Sequence, residues 1–201
     1  MKVVGLCGGS GSGKGMVSEL FLKLNIPSVD TDAVYREMIN YDSPCLRALI
    51  GEFGKEILKP DGGLDRKKLA SIVFSGENSK IRLKKLNEIS HKFILEETRK
   101  RLFMLSQMGY KAALVDAPVL FESGFNKECD LTLCVIADNE IRIQRIMTRD
   151  GLTREASENR INSQLDDSEL QKRCDFVITN NTDAESLRIQ VEELAKIILE
   201  K

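Results

Sequence analysis

The glycine-rich stretch of residues 8–15 follows the apolar residues 3–7 and has a spacing that suits phosphate binding. Gly8, four intervening residues, Gly13 and Lys14 match the phosphate-loop pattern, in which backbone N–H groups surround an anion and the lysine adds positive charge. That pattern has Ser or Thr after the lysine to bind Mg²⁺, but this chain has Gly15. Two alternatives stay open, a nucleotide site with weak catalysis and a glycine turn that binds nothing.

Two carboxylates could act beside such a loop. Asp116 ends the apolar run 112–116 and could hold Mg²⁺ directly or through water, or simply cap the next turn. Asp32 follows residues 28–30, a short predicted strand, and could accept a proton from a substrate hydroxyl. The alternative for Asp32 is a carboxylate that only complements the dipole of the helix it begins.

Arginines recur in the segment after residue 138. Arg142, Arg145 and Arg149 are spaced i, i+3, i+7, which places them on one helix face, and Arg154 and Arg160 follow. Guanidinium groups clamp phosphate oxygens, so the helices over about 139–165 are predicted to form a lid. The alternative is a solvated charged face.

His91 is the only histidine, and it lacks the neighbouring ligands that a metal site needs. We therefore expect its default role to be packing or a hydrogen bond on a helix face.

The elements that must position these residues can be predicted from apolar runs. Five segments predict strands: 3–7, 28–30, 112–116, 131–137 and 176–180. The last three are continuous apolar runs rather than alternations, which fits a parallel sheet covered on both faces. Four of them end in polar residues: Asp30, Asp116, Asp138 and Asn180. Ligands bind at the carboxyl ends of such strands, so these side chains are expected to meet at the phosphate loop.

Residues 33–108 read as almost purely helical, with a long helix over 80–107. So long a block exceeds a simple crossover between strands and predicts a subdomain for the substrate. Ser43 before Pro44 predicts a helix start. Two later starts are predicted from capping-box spacing, Ser168 with Gln171 and Thr182 with Glu185.

Composition bounds the class of protein. The chain has 201 residues, is 42% hydrophobic and carries a net charge of −1, which fits one domain without a nucleic-acid or membrane footprint. It has no run of 18 apolar residues and no signal peptide, so we expect a cytoplasmic protein. The five cysteines form no C-x-x-C pair and are interpreted as buried or incidental: Cys7, Cys45, Cys129, Cys134 and Cys174.

Several ordered motifs together resemble the dephospho-coenzyme A kinase family over nearly the whole chain. Residues 5–14, GLCGGSGSGK, resemble the family's GLTGGIGSGK, and residues 30–36 resemble its D-A-D-x-x-x-R. Residues 116–122, DAPVLFE, resemble D-x-P-L-L-F-E. Arg145, Arg149 and the following lid residues fit its pattern, and residues 174–181 resemble A-D-x-V-I-x-N-x.

The resemblance implies a three-layer α/β P-loop kinase fold, with a five-stranded parallel sheet, a helical substrate subdomain and a lid. It implies one domain over 1–201, with the acceptor-binding region at about 33–108 and the lid at about 139–165. The implied reaction is ATP- and Mg²⁺-dependent phosphorylation of the ribose 3′-hydroxyl of dephospho-coenzyme A, the last step of coenzyme A synthesis. We expect a monomer or small homo-oligomer without a nucleic-acid or membrane partner.

The resemblance also implies roles for individual residues. Asp32, Lys14 and Arg149 are the implied catalytic residues, and Asp116 is the implied metal ligand. The implied ATP site comprises Gly9, Ser10, Gly11, Ser12, Gly13, Lys14, Gly15, Met16, Arg145, Asn180 and Asn181. The implied acceptor site comprises Asp32, Arg36, His91, Pro118, Glu122 and Arg160.

Two departures from the family pattern bear on these roles. Gly15 stands where the family has Ser or Thr, and Lys92 follows His91 where the family usually has proline. A water could replace the missing hydroxyl at Gly15, so we expect impaired rather than absent catalysis. The alternatives are a nucleotide-binding module with weak or no kinase activity and another small-molecule kinase of the same fold.

Overall fold

A computed structural model describes residues 1–40 and 42–200; Tyr41 and Lys201, which fall within the predicted domain 1–201, lie outside the described residues. Five strands form one sheet: β1 (Lys2–Cys7), β2 (Ser28–Asp30), β3 (Ala112–Asp116), β4 (Leu131–Ile136) and β5 (Phe176–Thr179). Their order is β2-β3-β1-β4-β5. β1 pairs in parallel with both β3 and β4, and β4 pairs in parallel with β5. The predicted α/β architecture is confirmed.

Register places the loop-bearing strand in the middle of the sheet. Leu6 of β1 lies opposite Asp116 on one side and Leu133 on the other. Because the strands are parallel, their carboxyl ends meet at one edge, where the phosphate loop leaves β1.

Helices connect and cover the strands. In chain order they are α1 (Lys14–Lys23), α2 (Thr31–Asn40), α3 (Pro44–Phe53), α4 (Arg66–Val73), α5 (Ser79–Gln107), α6 (Asn139–Asp150), α7 (Arg154–Asn162), α8 (Asp167–Arg173) and α9 (Ala184–Glu200). Short 3₁₀ turns cover Lys55–Ile57 and Phe125–Glu128. Over residues 1–40 and 42–200, no helix is at once long and apolar enough to cross a bilayer.

Capping explains where three helices begin. The predicted start at Ser43 is confirmed, because its Oγ accepts a hydrogen bond from the Leu46 N–H at 3.0 Å. The two capping-box predictions name the wrong capping residue. Asp166 accepts from the Ser168 N–H at 2.7 Å, and Asp183 accepts from the Ser186 N–H at 2.8 Å. The capping residue is Asp166, two residues before Ser168, in one case and Asp183, one residue after Thr182, in the other, because a carboxylate is a stronger acceptor than a hydroxyl.

The chain divides into two compact units, Met1–Val29 with Leu102–Lys201, and Asp30–Arg101. The first has its core between the sheet and the covering helices, where Phe21, Leu114 and Val191 are fully buried. The second has a core of its own around Ile39 and Leu49. The sequence predicted a helical insertion over about 33–108, and the second unit covers most of that range.

Candidate active site

The phosphate loop runs from the end of β1 into α1 and follows the path its glycines allow. Gly11 and Gly13 have φ of +78° and +97°, the left-handed region that side chains disfavour. At Gly13 an added Cβ would lie 2.1 Å from Nδ2 of Asn180, so glycine is also required by packing. The loop therefore ends at the first turn of α1, whose backbone N–H groups have no partner within the helix and suit an anion.

Lys14 and Asp116 meet at this loop. The Nζ of Lys14 lies 2.6 Å from Oδ1 of Asp116, and both side chains are largely buried. The register of β1 with β3 explains the contact, since Leu6 and Asp116 are partners across the two strands. The expectation that Asp116 lies at the phosphate loop is confirmed. A lysine held by a carboxylate is a cation already placed where phosphate charge would arrive.

The glycines of the loop and two arginines of α6 line one cavity of about 590 Å³. Gly11, Gly13, Gly15 and Met16 form one wall, and Gln144, Arg145, Thr148 and Arg149 form the other. Arg145 also donates from Nη1 to the carbonyl of Gly11 at 3.2 Å and from Nη2 to the carbonyl of Asn180 at 3.0 Å. Six of the predicted ATP-site and catalytic residues are thus brought together.

Arg149 is placed differently from Arg145. Its side chain is 63% exposed, and its guanidinium makes two hydrogen bonds to the neighbouring Asp150, at 2.8 and 2.9 Å. This contact raises the pKa of Arg149 and lowers the pKa of Asp150 to about 2. Arg149 therefore carries a full charge that lines the cavity but is engaged on the surface.

Arg142 does not join the other two arginines as a phosphate clamp, contrary to the prediction of one arginine face. It is only 2% exposed, donates from Nε to the carbonyl of Ser10 at 2.9 Å, and from Nη1 to Asp167 at 3.0 Å. Gln164 accepts from the Ser10 N–H at 2.8 Å. Both polar backbone atoms of Ser10 are thus held by side chains from beyond β4. Helical spacing shows on which face of a helix a side chain lies but not whether that side chain is buried. The prediction that Arg142 binds phosphate with the other arginines is wrong for this reason.

The two asparagines after β5 hold neighbouring backbone. Asn180 is buried and donates from Nδ2 to the carbonyl of Ser12 at 2.8 Å. Asn181 accepts from the Asp138 N–H at 2.8 Å, at the start of α6. The expected meeting of Asn180 with the phosphate loop is confirmed. Asp138 is held by Asn181 instead, and contact of the asparagines with adenine stays a prediction.

In the second compact unit, Asp30 rather than Asp32 caps α2. The Asp30 carboxylate accepts from the N–H groups of Asp32 and Ala33 at 2.8 and 3.0 Å. Arg36 lies over the same turn, with Nη2 3.6 Å from Asp30 and Nε 3.2 Å from the carbonyl of Asp32. The Asp32 side chain is exposed, so the structural role considered for it is largely filled by its neighbour.

Comparison with known proteins agrees with this geometry. The CoaE family model, described as dephospho-CoA kinase, matches residues 2–186. The chain belongs to the dephospho-CoA kinase family. A dephospho-CoA kinase of Bacillus cereus is 36% identical over 194 residues, covering 96% of this chain and 96% of the relative.

Solved structures give the same family and fold. The TT1252 protein of Thermus thermophilus has a TM-score of 0.77 and 31% identity, over 98% of this chain and 97% of that one. A dephospho-CoA kinase from Campylobacter jejuni has a TM-score of 0.72 and 27% identity, over 100% of this chain and 98% of that one. The P-loop kinase fold is confirmed.

The remaining residues that the family resemblance marked are found in two places. Pro118 and Glu122 line a second cavity of about 350 Å³ together with Gly8 and Gly9 of the loop. Arg160 pairs with Asp150 at 2.5 Å and is exposed. His91 is half-buried on α5, in the second compact unit. Their contacts with an acceptor stay predictions.

The metal question turns on Asp116 and Gly15. Within the part of the chain that the structure describes, no group of three or more His, Cys, Asp or Glu side chains is arranged to hold a metal ion. A kinase Mg²⁺ needs fewer protein ligands, because it is bound through one or two carboxylates, substrate phosphates and water. Asp116 fits that requirement at the loop, and Gly15 contributes no side-chain oxygen.

Proposed function

We propose that this kinase transfers the γ-phosphoryl group of ATP to the ribose 3′-hydroxyl of dephospho-coenzyme A, completing coenzyme A. The observation that carries the proposal is the cavity in which the loop glycines face Arg145 and Arg149. Main-chain amides and guanidinium groups on opposite walls suit a polyphosphate, whose charge both walls stabilise.

Phosphoryl transfer depends on positioning and on stabilising charge rather than on covalent chemistry by the protein. In our proposal the loop amides and Lys14 bind the terminal phosphates of ATP, and Arg145 binds a part of ATP more distant from the transferred phosphate. Arg149 exchanges Asp150 for the transferring group. Both partners are exposed, so the exchange replaces one weak surface pair by a contact with a more highly charged anion.

We assign the acceptor hydroxyl to Asp32, which orients it and takes its proton. The exposed carboxylate of Asp32 supports this role, since Asp30 already provides the cap that α2 needs. Arg36, His91, Pro118, Glu122 and Arg160 are proposed to bind the rest of the acceptor, and Asn180 and Asn181 to lie near the adenine end of ATP.

Mg²⁺ is the proposed metal, held by Asp116 directly or through water. When bound, it neutralises charge on the β- and γ-phosphate oxygens. Lys14 stabilises the same charge from its position 2.6 Å from the Asp116 carboxylate. The missing hydroxyl at Gly15 means that this chain offers the metal one ligand fewer than the usual phosphate loop.

We also propose a cytoplasmic monomer or small homo-oligomer, and the net charge of −1 supports the proposal that it has no nucleic-acid or membrane partner. No observation favours a pure binding module or a different small-molecule kinase.

The test is incubation with ATP, Mg²⁺ and dephospho-coenzyme A, with competing nucleoside and sugar acceptors, followed by mass spectrometry. We expect one phosphate on dephospho-coenzyme A alone.

Asp32→Asn is expected to lower kcat about 10²- to 10⁴-fold, the range for loss of a general base. The matched control is Asp42→Asn, an exposed carboxylate that pairs with Arg47 and is expected to keep wild-type kcat. Phosphate on another acceptor, or an unchanged kcat for Asp32→Asn, contradicts the corresponding assignment.

A further inference from the structure

Three of the five cysteines lie together directly beneath the phosphate loop. Cys7 is the last residue of β1 and lies opposite Cys134 of β4 in the parallel register. Cys174 follows α8, and its Sγ is 3.5 Å from the Sγ of Cys7. The phosphate loop begins at the next residue after Cys7, namely Gly8. The interpretation of the cysteines as buried or incidental residues does not include this cluster, because the strand order that brings the three together cannot be read from the sequence.

The three thiols differ in access. Cys7 and Cys134 are buried, whereas Cys174 is partly exposed. A small oxidant in solvent therefore reaches Cys174 first, and the buried thiol in contact with it can only react afterwards. This is the arrangement of a reactive cysteine beside a resolving cysteine.

The three thiols also differ in pKa, because of the hydrogen bonds between them. Hydrogen bonds with the thiols of Cys134 and Cys7 lower the pKa of Cys174. The pKa of Cys7 is raised by the same contact and by burial, and so is the pKa of Cys134. The thiolate is the form that reacts with oxidants, so reaction favours Cys174.

We propose that Cys174 and Cys7 form a redox modification site that reacts with hydrogen peroxide and closes a disulfide under the phosphate loop. The Cys174 thiolate attacks one peroxide oxygen and the O–O bond breaks. This leaves a sulfenic acid and a hydroxide, which takes the proton released by the thiol to become water. The Cys7 sulfur then attacks the sulfenic sulfur and gives up its proton. The S–S bond forms, the S–O bond breaks and a second water leaves.

Closing this bond acts on the phosphate loop. A disulfide needs a sulfur separation of about 2.05 Å, so the two sulfurs must approach from their present 3.5 Å. The backbone after Cys7 has little room to adjust, since a Cβ at Gly8 would lie 2.4 Å from the carbonyl oxygen of Val135. Displacing Gly8 disturbs the loop amides, and oxidation is therefore expected to weaken ATP binding. That consequence rests on the proposed function, whereas the disulfide itself does not.

The experiment oxidises the fully reduced protein with hydrogen peroxide, blocks remaining thiols by alkylation, and maps peptides by mass spectrometry. We expect a Cys7–Cys174 cross-link that dithiothreitol reverses. The Kd for ATP is measured in parallel on the same samples and is expected to rise about tenfold or more on oxidation and to recover on reduction.

Variants identify the pair. Cys174→Ser and Cys174→Ala are expected to keep their ATP affinity after peroxide, and Cys134→Ser still to form the cross-link. Cys129→Ser is the matched control, because burial raises the pKa of that thiol to about 12, and it is expected to respond to peroxide like wild type. Because Cys174 is partly exposed, its variants keep the test valid if Cys7→Ser folds poorly.

The outcomes separate this proposal from the proposed function. Peroxide that yields Cys174 sulfinic acid without a cross-link overturns the disulfide, whatever the enzyme does with dephospho-coenzyme A. A Cys7–Cys174 cross-link that leaves ATP affinity unchanged overturns the connection to the phosphate loop. Equal loss of ATP affinity in wild type and Cys174→Ser overturns the choice of Cys174.

Discussion

The phosphate loop and the arginine segment, here residues 149–160, handle the same kind of charge in opposite ways. Two buried side chains hold the loop, since Arg142 binds the carbonyl of Ser10 and Asn180 binds the carbonyl of Ser12; the exposed Gln164 adds a contact to the Ser10 N–H. In the arginine segment every arginine is exposed and paired with a carboxylate on the surface: Arg149 and Arg160 with Asp150, and Arg154 with Glu140 and Glu158.

The difference indicates a division of work between the two regions. Buried polar contacts are costly to break, so the loop keeps its shape before the nucleotide arrives and needs no reorganisation. Exposed ion pairs contribute about 0–1 kcal/mol each, so an arginine can leave a carboxylate for phosphate at little cost.

Lys14→Met is expected to have the largest effect, because it removes the one side-chain cation of the loop. We expect kcat/KM to fall by about 10³-fold or more, in line with loss of a group that stabilises transferring phosphate. The measurement is steady-state kinetics with ATP as the varied substrate. Lys23→Met, at the exposed last turn of the same helix, is the matched control and is expected to stay near wild type. A loss of less than tenfold would contradict the central role of Lys14.

Arg142→Ala tests whether the buried Arg142 side chain holds the phosphate loop in place. It frees the carbonyl of Ser10 and leaves Asp167 without its buried partner, so the free energy of unfolding is expected to fall by about 3 kcal/mol. The KM for ATP is expected to rise about tenfold while the KM for dephospho-coenzyme A changes little.

Arg142→Lys separates the two effects, because it keeps a charge beside Asp167 but loses the fork that also reaches Ser10. It is expected to restore stability more than ATP affinity. Arg188→Ala removes an exposed arginine paired with Glu185 and Glu192 and serves as the control. If stability falls in Arg142→Ala while the KM for ATP does not change, Arg142 is structural only.

The fixed region was largely predictable from sequence. Glycine spacing, apolar runs and Asp116 at a strand end predicted the loop, the sheet and the position of Asp116 at the loop. Each of these signals is local, or follows from the rule that parallel strands end at one edge.

The parts that could not be predicted depend on depth or on neighbours distant in sequence. Periodicity put Arg142 on the correct side of α6 but could not show that the loop covers it. The thiol cluster needs the order of β1 and β4 in the sheet. Ser168 and Thr182 had the right spacing for caps, but a nearby carboxylate competed for each N–H group and won.

Gly15→Thr returns the missing hydroxyl to the fixed region and is expected to have a moderate effect. An added Cβ at Gly15 meets nothing within 4 Å, so the side chain fits. We expect kcat to rise about three- to tenfold, or half-maximal activity at lower Mg²⁺, because the metal gains an oxygen ligand. The measurement is kcat over a Mg²⁺ titration.

Gly51→Thr is the matched control, since Gly51 is also helical and an added Cβ there meets nothing within 4 Å. It reports what the same change does to a helix without a metal nearby. Equal kcat for Gly15→Thr and wild type at every Mg²⁺ concentration would mean that water already replaces the hydroxyl fully.

Asp150→Asn is expected to have the smallest effect, and it tests the exchangeable region directly. It releases Arg149 and Arg160 from their shared carboxylate, so kcat/KM for ATP is expected to change by no more than about twofold. The pKa of Asp150 is lowered to about 2, which fixes the direction in which its ion pairs depend on pH. Its ion pairs stabilise the fold fully above the ordinary carboxyl pKa and are lost only as pH falls towards 2.

Asp150 should therefore add no ionisation to the pH profile of kcat between pH 5 and 9, and the profiles of wild type and Asp150→Asn should have the same shape. Glu158→Gln, which removes a surface partner of Arg154 but touches neither Arg149 nor Arg160, is the control. A tenfold loss of kcat/KM for ATP confined to Asp150→Asn would mean that the Asp150 carboxylate orients Arg149 towards the phosphate. Asp150 would then be more than a partner that Arg149 leaves when the nucleotide binds. The arginine segment would then be as fixed as the loop, and the contrast between the two regions would fail.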